Sequence, residues 1–349
     1  MFGKLLRAGR DDPAPPLSLA LQGGGAHGAY TWGVLDRLLE DGWRLDGVSG
    51  TSAGAMNAVA LAQGWTTGGA EGARAALDAF WTAVGDSTPF HLDLMHSLNP
   101  AQDGGLPAPM NMMLGLARLF SPYQLNPFEL NPLRDVVRAQ FDFERLRRSC
   151  PLKLFIAATQ VRTGKVRLFR TRELSEDALL ASACLPTLHH AVEIDGEHYW
   201  DGGFTANPAI YPLMYECTTP DVLLVLLNPL LRNDAPRSAA DIAARSLELG
   251  FSTTFLREMR MIAHARSYAG EASRWLPRGR LERKLMRLRF HLIDARELGA
   301  IGSDSKLNAS TRFLLHLREL GRARTGEWLR RHRRDIGQRE SVNLEALFA

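Results

Sequence analysis

The chain has 349 residues, 42 Lys and Arg against 38 Asp and Glu for a formal net charge of +4, and only three cysteines. That length is enough for one large domain or two ordinary ones around a buried core, and the composition is that of a globular protein. Cys150, Cys184 and Cys217 are too few and too irregularly spaced for a disulfide framework or a zinc pattern, and no window approaches the ~18 uninterrupted apolar residues that span a bilayer.

Residues 1–16 carry basic side chains and then Asp11-Asp12-Pro13-Ala14-Pro15-Pro16, with no long apolar core, so they read as a flexible leader and not as a signal peptide. A cytoplasmic protein is expected, with peripheral attachment to the inner membrane surface left open. Leu17 to Leu21 is a short apolar strand, followed by the loop Gly23-Gly24-Gly25-Ala26-His27-Gly28 and by Val34, Leu35, Leu38 and Leu39 at helical spacing. Asp41-Gly42 stops that helix. Leu45 to Ser49 is a second buried strand, and Ala55, Met56, Val59 and Ala60 mark the inner face of a helix expected to close at Gly64. Strand, loop, helix, strand, elbow, helix builds a parallel α/β sheet, with both loops at the carboxyl ends of strands.

Between those last two elements stands Gly50-Thr51-Ser52-Ala53-Gly54, a GxSxG turn. Such a turn presents a serine hydroxyl on a sharp strand-to-helix elbow. A loop of unencumbered N–H groups opening a helix is what a developing oxyanion needs, so the two motifs point to acyl transfer. The glycine loop also fits the dinucleotide fingerprint GxGxxG, but no acidic residue closes the next strand, which runs into Ser52 instead.

A helix around Ala70 to Val84 is followed by residues 86–132, with seven prolines and the methionines Met95, Met110, Met112 and Met113. This irregular apolar insertion suits a lid or an acyl-chain channel, or a loop packed on the core. Leu152 to Gln160 and Lys165 to Phe169 form a hairpin about Arg162-Thr163-Gly164, Ser175 to Ala183 a helix, and Val192 to Trp200 a second hairpin that ends in Asp201-Gly202-Gly203. Burial of Asp201 would raise its pKa and make it a better base toward a serine hydroxyl. Three histidines downstream, His264, His291 and His316, stand in the order an α/β-hydrolase triad requires, but none has a turn-like setting. Asp221 to Leu227 is a central strand; Ser238 to Tyr268, Leu281 to Leu288 and Ser310 to Arg330 are helical, and Arg289 to Ile293 is a short strand.

Gly23-Gly24-Gly25-Ala26-His27-Gly28, Gly50-Thr51-Ser52-Ala53-Gly54 and Asp201-Gly202-Gly203, in this order, resemble the three signatures of the patatin-like phospholipase family. Ala181-Ser182-Ala183-Cys184-Leu185-Pro186 is similar to the small-residue helix end that precedes the family's Asp-Gly motif. The resemblance implies a three-layer α/β/α sandwich with a mostly parallel central sheet and extra C-terminal helices. It implies a lipid acyl hydrolase with Ser52 as nucleophile and Asp201 as general base, through an acyl-serine intermediate, with no metal, no cofactor and no nucleic-acid partner. The oxyanion donors would come from Gly23, Gly24, Gly25 and Ala53, supported by Gly28, Gly50, Gly54, Gly202 and Gly203. His27 departs from the pattern, since many members carry Arg or Lys there. A non-catalytic lipid-binding module of the same fold and a Ser-Asp-His esterase are the alternatives.

The implied catalytic domain is 17–228 and the helical extension 229–349. Residues 251–349 hold 21 Lys and Arg against 11 Asp and Glu. Arg280, Arg283, Lys284 and Arg287 with Leu281, Leu285 and Met286 form a basic amphipathic element, read either as a dock for anionic bilayers or as a solvated helix face.

Overall fold

Strands β1 (Leu17–Leu21) and β2 (Leu45–Thr51) lie side by side and parallel, with Leu21 level with Gly50. All five β1 residues are buried, which is why the strand reads as an apolar run with only Ser18 within it. The computed structural model describes residues 15–87, 120–232, 235–271, 279–301 and 303–349. Most of the leader, and most of the Pro- and Met-rich insertion with Met95, Met110, Met112 and Met113, lie outside the described residues.

The sheet has eight strands. Strands β3 (Lys153–Gln160), β7 (Asp221–Leu226) and β8 (Arg289–Asp294) extend the parallel set, in the spatial order β3-β2-β1-β7-β8. Strands β4 (Val166–Arg170), β5 (Val192–Ile194) and β6 (Glu197–Asp201) are antiparallel additions on the β3 side. The β5–β6 hairpin turns on Asp195 and Gly196, both at positive φ (53° and 76°), as a two-residue turn matched to strand twist requires.

Alternate strand residues enter different cores. Leu19 and Leu21 of β1, with Leu223 and Val225 of β7, pack with helices α1 (Gly28–Glu40) and α2 (Ala53–Asp86). Ala20, Val222, Leu224 and Leu226 pack on the other face, against residues of the long helix over Ala239–Glu271. A helical layer on each face of the sheet is the three-layer arrangement expected.

Shorter helices follow α2: α3 (Pro122–Leu125), α4 (Pro132–Gln140), α5 (Phe143–Ser149), α6 (Glu176–Ser182) and α7 (Tyr211–Glu216). The remainder are α8 (Ala239–Glu271), α9 (Arg280–Arg287), α10 (Thr311–His332) and α11 (Leu344–Phe348).

One detail departs from expectation. The α2 segment does not stop at Gly64. It breaks at Gly68 and Gly69, where φ reaches +62°, and folds back so that a Cβ on Gly64 would stand 2.1 Å from the Gly72 carbonyl oxygen. Gly64 is thus a packing residue and not a helix end. Helix α10, one of the extra C-terminal helices expected, is bound to the layer of α1 and α2 through α1. A Cβ on Gly33 would meet the Arg318 carbonyl at 2.0 Å, and one on Gly321 would meet the Tyr30 carbonyl at 2.1 Å, so only glycine lets these backbones approach. Beside this contact the buried Asp36 carboxylate is shared by Arg74 (2.7 Å), Arg318 (3.2 Å) and Arg322. Among the described residues no helix is long and apolar enough to cross a membrane.

Candidate active site

Ser52 occupies the single residue between the end of β2 and the start of α2, at φ 55° and ψ −123°. This conformation is strained for a residue with a Cβ, and such strain persists only where the surroundings hold it. Here they do. The Ser52 amide donates to the Ser182 hydroxyl (3.0 Å) and the Thr51 hydroxyl to the Ala206 carbonyl (2.7 Å). Gly50 and Gly54 make the elbow possible, because a Cβ on Gly50 would lie 2.5 Å from the Gly54 carbonyl oxygen and one on Gly54 2.2 Å from that of Leu21.

Register delivers Asp201. Along β3, Ala157 pairs with Thr51 and the next residue, Ala158, pairs with Asp201, so the ends of β2 and β6 meet. The Ser52 side chain stands close enough to the Asp201 carboxylate to act on its titration, and Asp201 Oδ1 accepts the Gly203 N–H at 2.7 Å. Asp201 is 1% exposed, and burial pushes its carboxyl up to about 7 against the pull of the Gly203 amide and the Ser52 hydroxyl. Its backbone is held by the Cys184 carbonyl (2.8 Å) and the Thr159 hydroxyl (2.8 Å). Gly202 and Gly203 leave room for these neighbours: a Cβ would strike the Ala157 carbonyl at 2.2 Å in the first case and the Phe251 ring at 1.9 Å in the second.

The glycine loop crosses over the serine. A Cβ on Gly23 would stand 2.8 Å from that of Ser52. The Gly23 N–H is given to Asn207 Oδ1 at 2.7 Å. Among the described residues the amides of Gly24, Gly25 and Ala53 have no hydrogen-bond partner. Gly25 lies at φ +58°, opens a 3-10 turn to His27 and leads into α1, while Ala53 opens α2, so two helix N-termini face the loop. A Cβ on Gly28 would collide with that of Ala53 at 2.6 Å, which locks the two helix starts together.

His27 is 2% exposed, bonded through Nε2 to the Ser305 hydroxyl at 2.7 Å, and burial together with Lys306 lowers it to about 3. It is neutral at every physiological pH. None of the other candidate histidines approaches Ser52. His291 is buried at the opposite end of the strands, between Asp221 (3.1 Å) and Ser341 (3.1 Å), and His264 and His316 are exposed on α8 and α10. Among the described residues no group of three His, Cys, Asp or Glu side chains is placed to hold a metal ion.

Asn207, Ser305 and Lys306 were not singled out in the sequence. Each reaches the motifs from a distant stretch of chain, and nothing in its local sequence marks it. A cleft of about 570 Å³ is lined by Pro186, His198 and Trp200. Neither Ser52 nor Asp201 lines it.

A serine on a strand-to-helix elbow at the carboxyl edge of a mostly parallel sheet is the arrangement of the nucleophile in serine hydrolases built on α/β sheets. The model of the patatin-like phospholipase family matches residues 19–214, more than half of the sequence, and the chain belongs to that family. It is, in that general sense, a lipid acyl hydrolase. No curated protein matches the sequence. Among solved structures it is similar to VipD from Legionella pneumophila, at 17% identity and TM-score 0.44 over 92% of this chain and 67% of that one. It is also similar to the type III effector protein ExoU, at 15% identity and TM-score 0.30 over 90% of this chain and 54% of that one. These two likenesses carry no inference about activity.

Proposed function

We propose that the protein hydrolyses lipid acyl esters through Ser52 as nucleophile and Asp201 as its only base, without histidine. The observation that carries this reading is the pair itself: a strained, partly exposed serine set beside a fully buried carboxyl whose pKa is raised to about 7. A carboxyl of that pKa takes a proton from a hydroxyl far better than an ordinary aspartate does. In the forward step the Ser52 oxygen bonds to the ester carbonyl carbon as its proton passes to Asp201. Collapse of the tetrahedral species breaks the ester C–O bond and releases the alcohol, which takes up that proton. Water, deprotonated by Asp201, then attacks the acyl-serine, and the acid leaves with Ser52 regenerated.

The oxyanion donors in this reading are the amides of Gly24, Gly25 and Ala53. Gly23 is withdrawn from the set, because its N–H already serves Asn207. The loop itself is held by that bond, with Asn207 only six residues past Asp201, so acid-base group and oxyanion loop are positioned by one short segment. A bilayer substrate would have to be met at the carboxyl edge of the sheet.

Labelling with a fluorophosphonate probe tests the reading. The wild type is expected to react and Ser52→Ala is not, with hydrolysis of p-nitrophenyl butyrate by the folded variant below about 1% of wild type. Residual turnover above that level removes Ser52 from the mechanism.

A further inference from the structure

Lys306 belongs to a short 3-10 segment, Ser303–Leu307, far outside the matched family region, yet it stands against the glycine loop. A Cβ on Gly25 would meet the Lys306 carbonyl oxygen at 2.3 Å and its Cβ at 3.6 Å. The adjacent Ser305 bonds His27. The Lys306 ammonium donates to Asn228 Oδ1 at 2.8 Å, and the Asn228 and Leu227 amides donate to Gln22 Oε1 at 2.9 and 2.7 Å. The charge therefore rests over the junction of β1 and β7, one residue before Gly23.

Among the described residues this ammonium pairs with no carboxylate. Burial lowers its pKa, with Glu248 raising it and Arg232 lowering it further, and across the loop it acts on the neutral His27. A half-buried cation held by a single amide oxygen, with Glu248 acting on it only through space, is an unfavourable arrangement for stability alone, since its desolvation is only partly offset. It becomes intelligible where negative charge develops nearby.

We propose that Lys306 is a positioning residue for the oxyanion: its charge makes the potential at Gly24 and Gly25 positive, in the place where His27 supplies none. The inference rests on the Ser52 reading, because the oxyanion is the one that Ser52 attack creates. Charge that acts on the tetrahedral species and not on the neutral ester changes kcat and leaves KM alone.

Lys306→Gln keeps a donor for Asn228 and removes the charge. With p-nitrophenyl butyrate the variant is expected to lose at least about tenfold in kcat, less than the roughly 10²–10³ lost with a direct oxyanion donor, at a KM within about twofold of wild type. The wild-type kcat should also fall on an alkaline limb below the ordinary lysine range, as Lys306 gives up its proton, and that limb should be absent from Lys306→Gln. A kcat within about twofold of wild type overturns the proposal. So does a wild-type profile flat up to about pH 10.5, which needs no variant to be folded. If the wild type neither hydrolyses the ester nor reacts with the fluorophosphonate, the Ser52 reading fails and this one with it. An active wild type beside an undiminished Lys306→Gln sinks this one alone.

Discussion

Asp201 is asked to be charged in a place that disfavours charge. Its folded pKa of about 7 lies above the ordinary value of 3.8, so its contribution to stability is fully present below about pH 4 and is lost as pH rises through 7. The shift corresponds to up to roughly 4 kcal/mol withheld from the fold at pH 8. Asp201→Asn should therefore abolish hydrolysis and yet melt several degrees above wild type at pH 8, with the two proteins alike at pH 4. An equal or lower Tm at pH 8 would show that the carboxylate is better solvated than its burial implies. In the wild type, hydrolysis should climb as pH passes 7, because only the ionised carboxylate accepts the serine proton. The sequence displayed this residue as the end of a strand before two glycines. It had no means of displaying Asn207, whose partner Gly23 is 184 positions away.

At the scale of elements, meaning attaches to contacts that a local pattern does not contain. Gly64 reads as a helix end in the sequence and Gly321 as a glycine within a helix, yet both mark close backbone approach. Gly326, one turn and a half further along α10, does not: a Cβ there would meet nothing nearer than 3.9 Å. Opposite outcomes are expected for the same substitution. Gly321→Ala should cost about 1–3 kcal/mol, because the Tyr30 carbonyl at 2.1 Å is backbone and has nowhere to go. Gly326→Ala should add about 0.5–1 kcal/mol by removing freedom from the unfolded chain. Urea titrations of the two variants decide the matter, and a stable Gly321→Ala would mean that α1 and α10 separate easily. The strands, by contrast, were legible almost to the residue, since burial on both faces makes β1 and β7 largely apolar, with only Ser18 and Asp221 breaking the run. The short helices α4, α5 and α7 were not, each being a turn or two whose ends are set by tertiary partners.

Taken as a whole, the molecule has two functional-looking ends, and they are opposite. Ser52 stands at the carboxyl edge of the strands. Arg280, Arg283, Lys284 and Arg287 of α9 gather around Thr218, Thr219 and Pro220, just before β7 begins, so the length of a six-residue strand, roughly 20 Å, lies between. The sequence displayed the basic amphipathic helix but not which way it faced. A bilayer held on α9 would lie at the wrong end for the serine. Replacing those four side chains together by Gln should leave turnover within about twofold both on a soluble ester and on phosphatidylglycerol vesicles; a loss confined to vesicles would instead make α9 the docking face.

The bond between His27 and Ser305 spans 278 positions, and this separation has a consequence in time. During synthesis the serine, the elbow and the glycine loop emerge early, and Asp201 follows at little more than half the chain. The loop, however, gains the wall formed by Ser305 and the ammonium of Lys306 only about a hundred residues after Asp201 has been made. A nascent enzyme would then stay weak toward the lipids around it until those residues arrive. Fragments released early by stalled ribosomes would carry every recognisable motif and little of the activity.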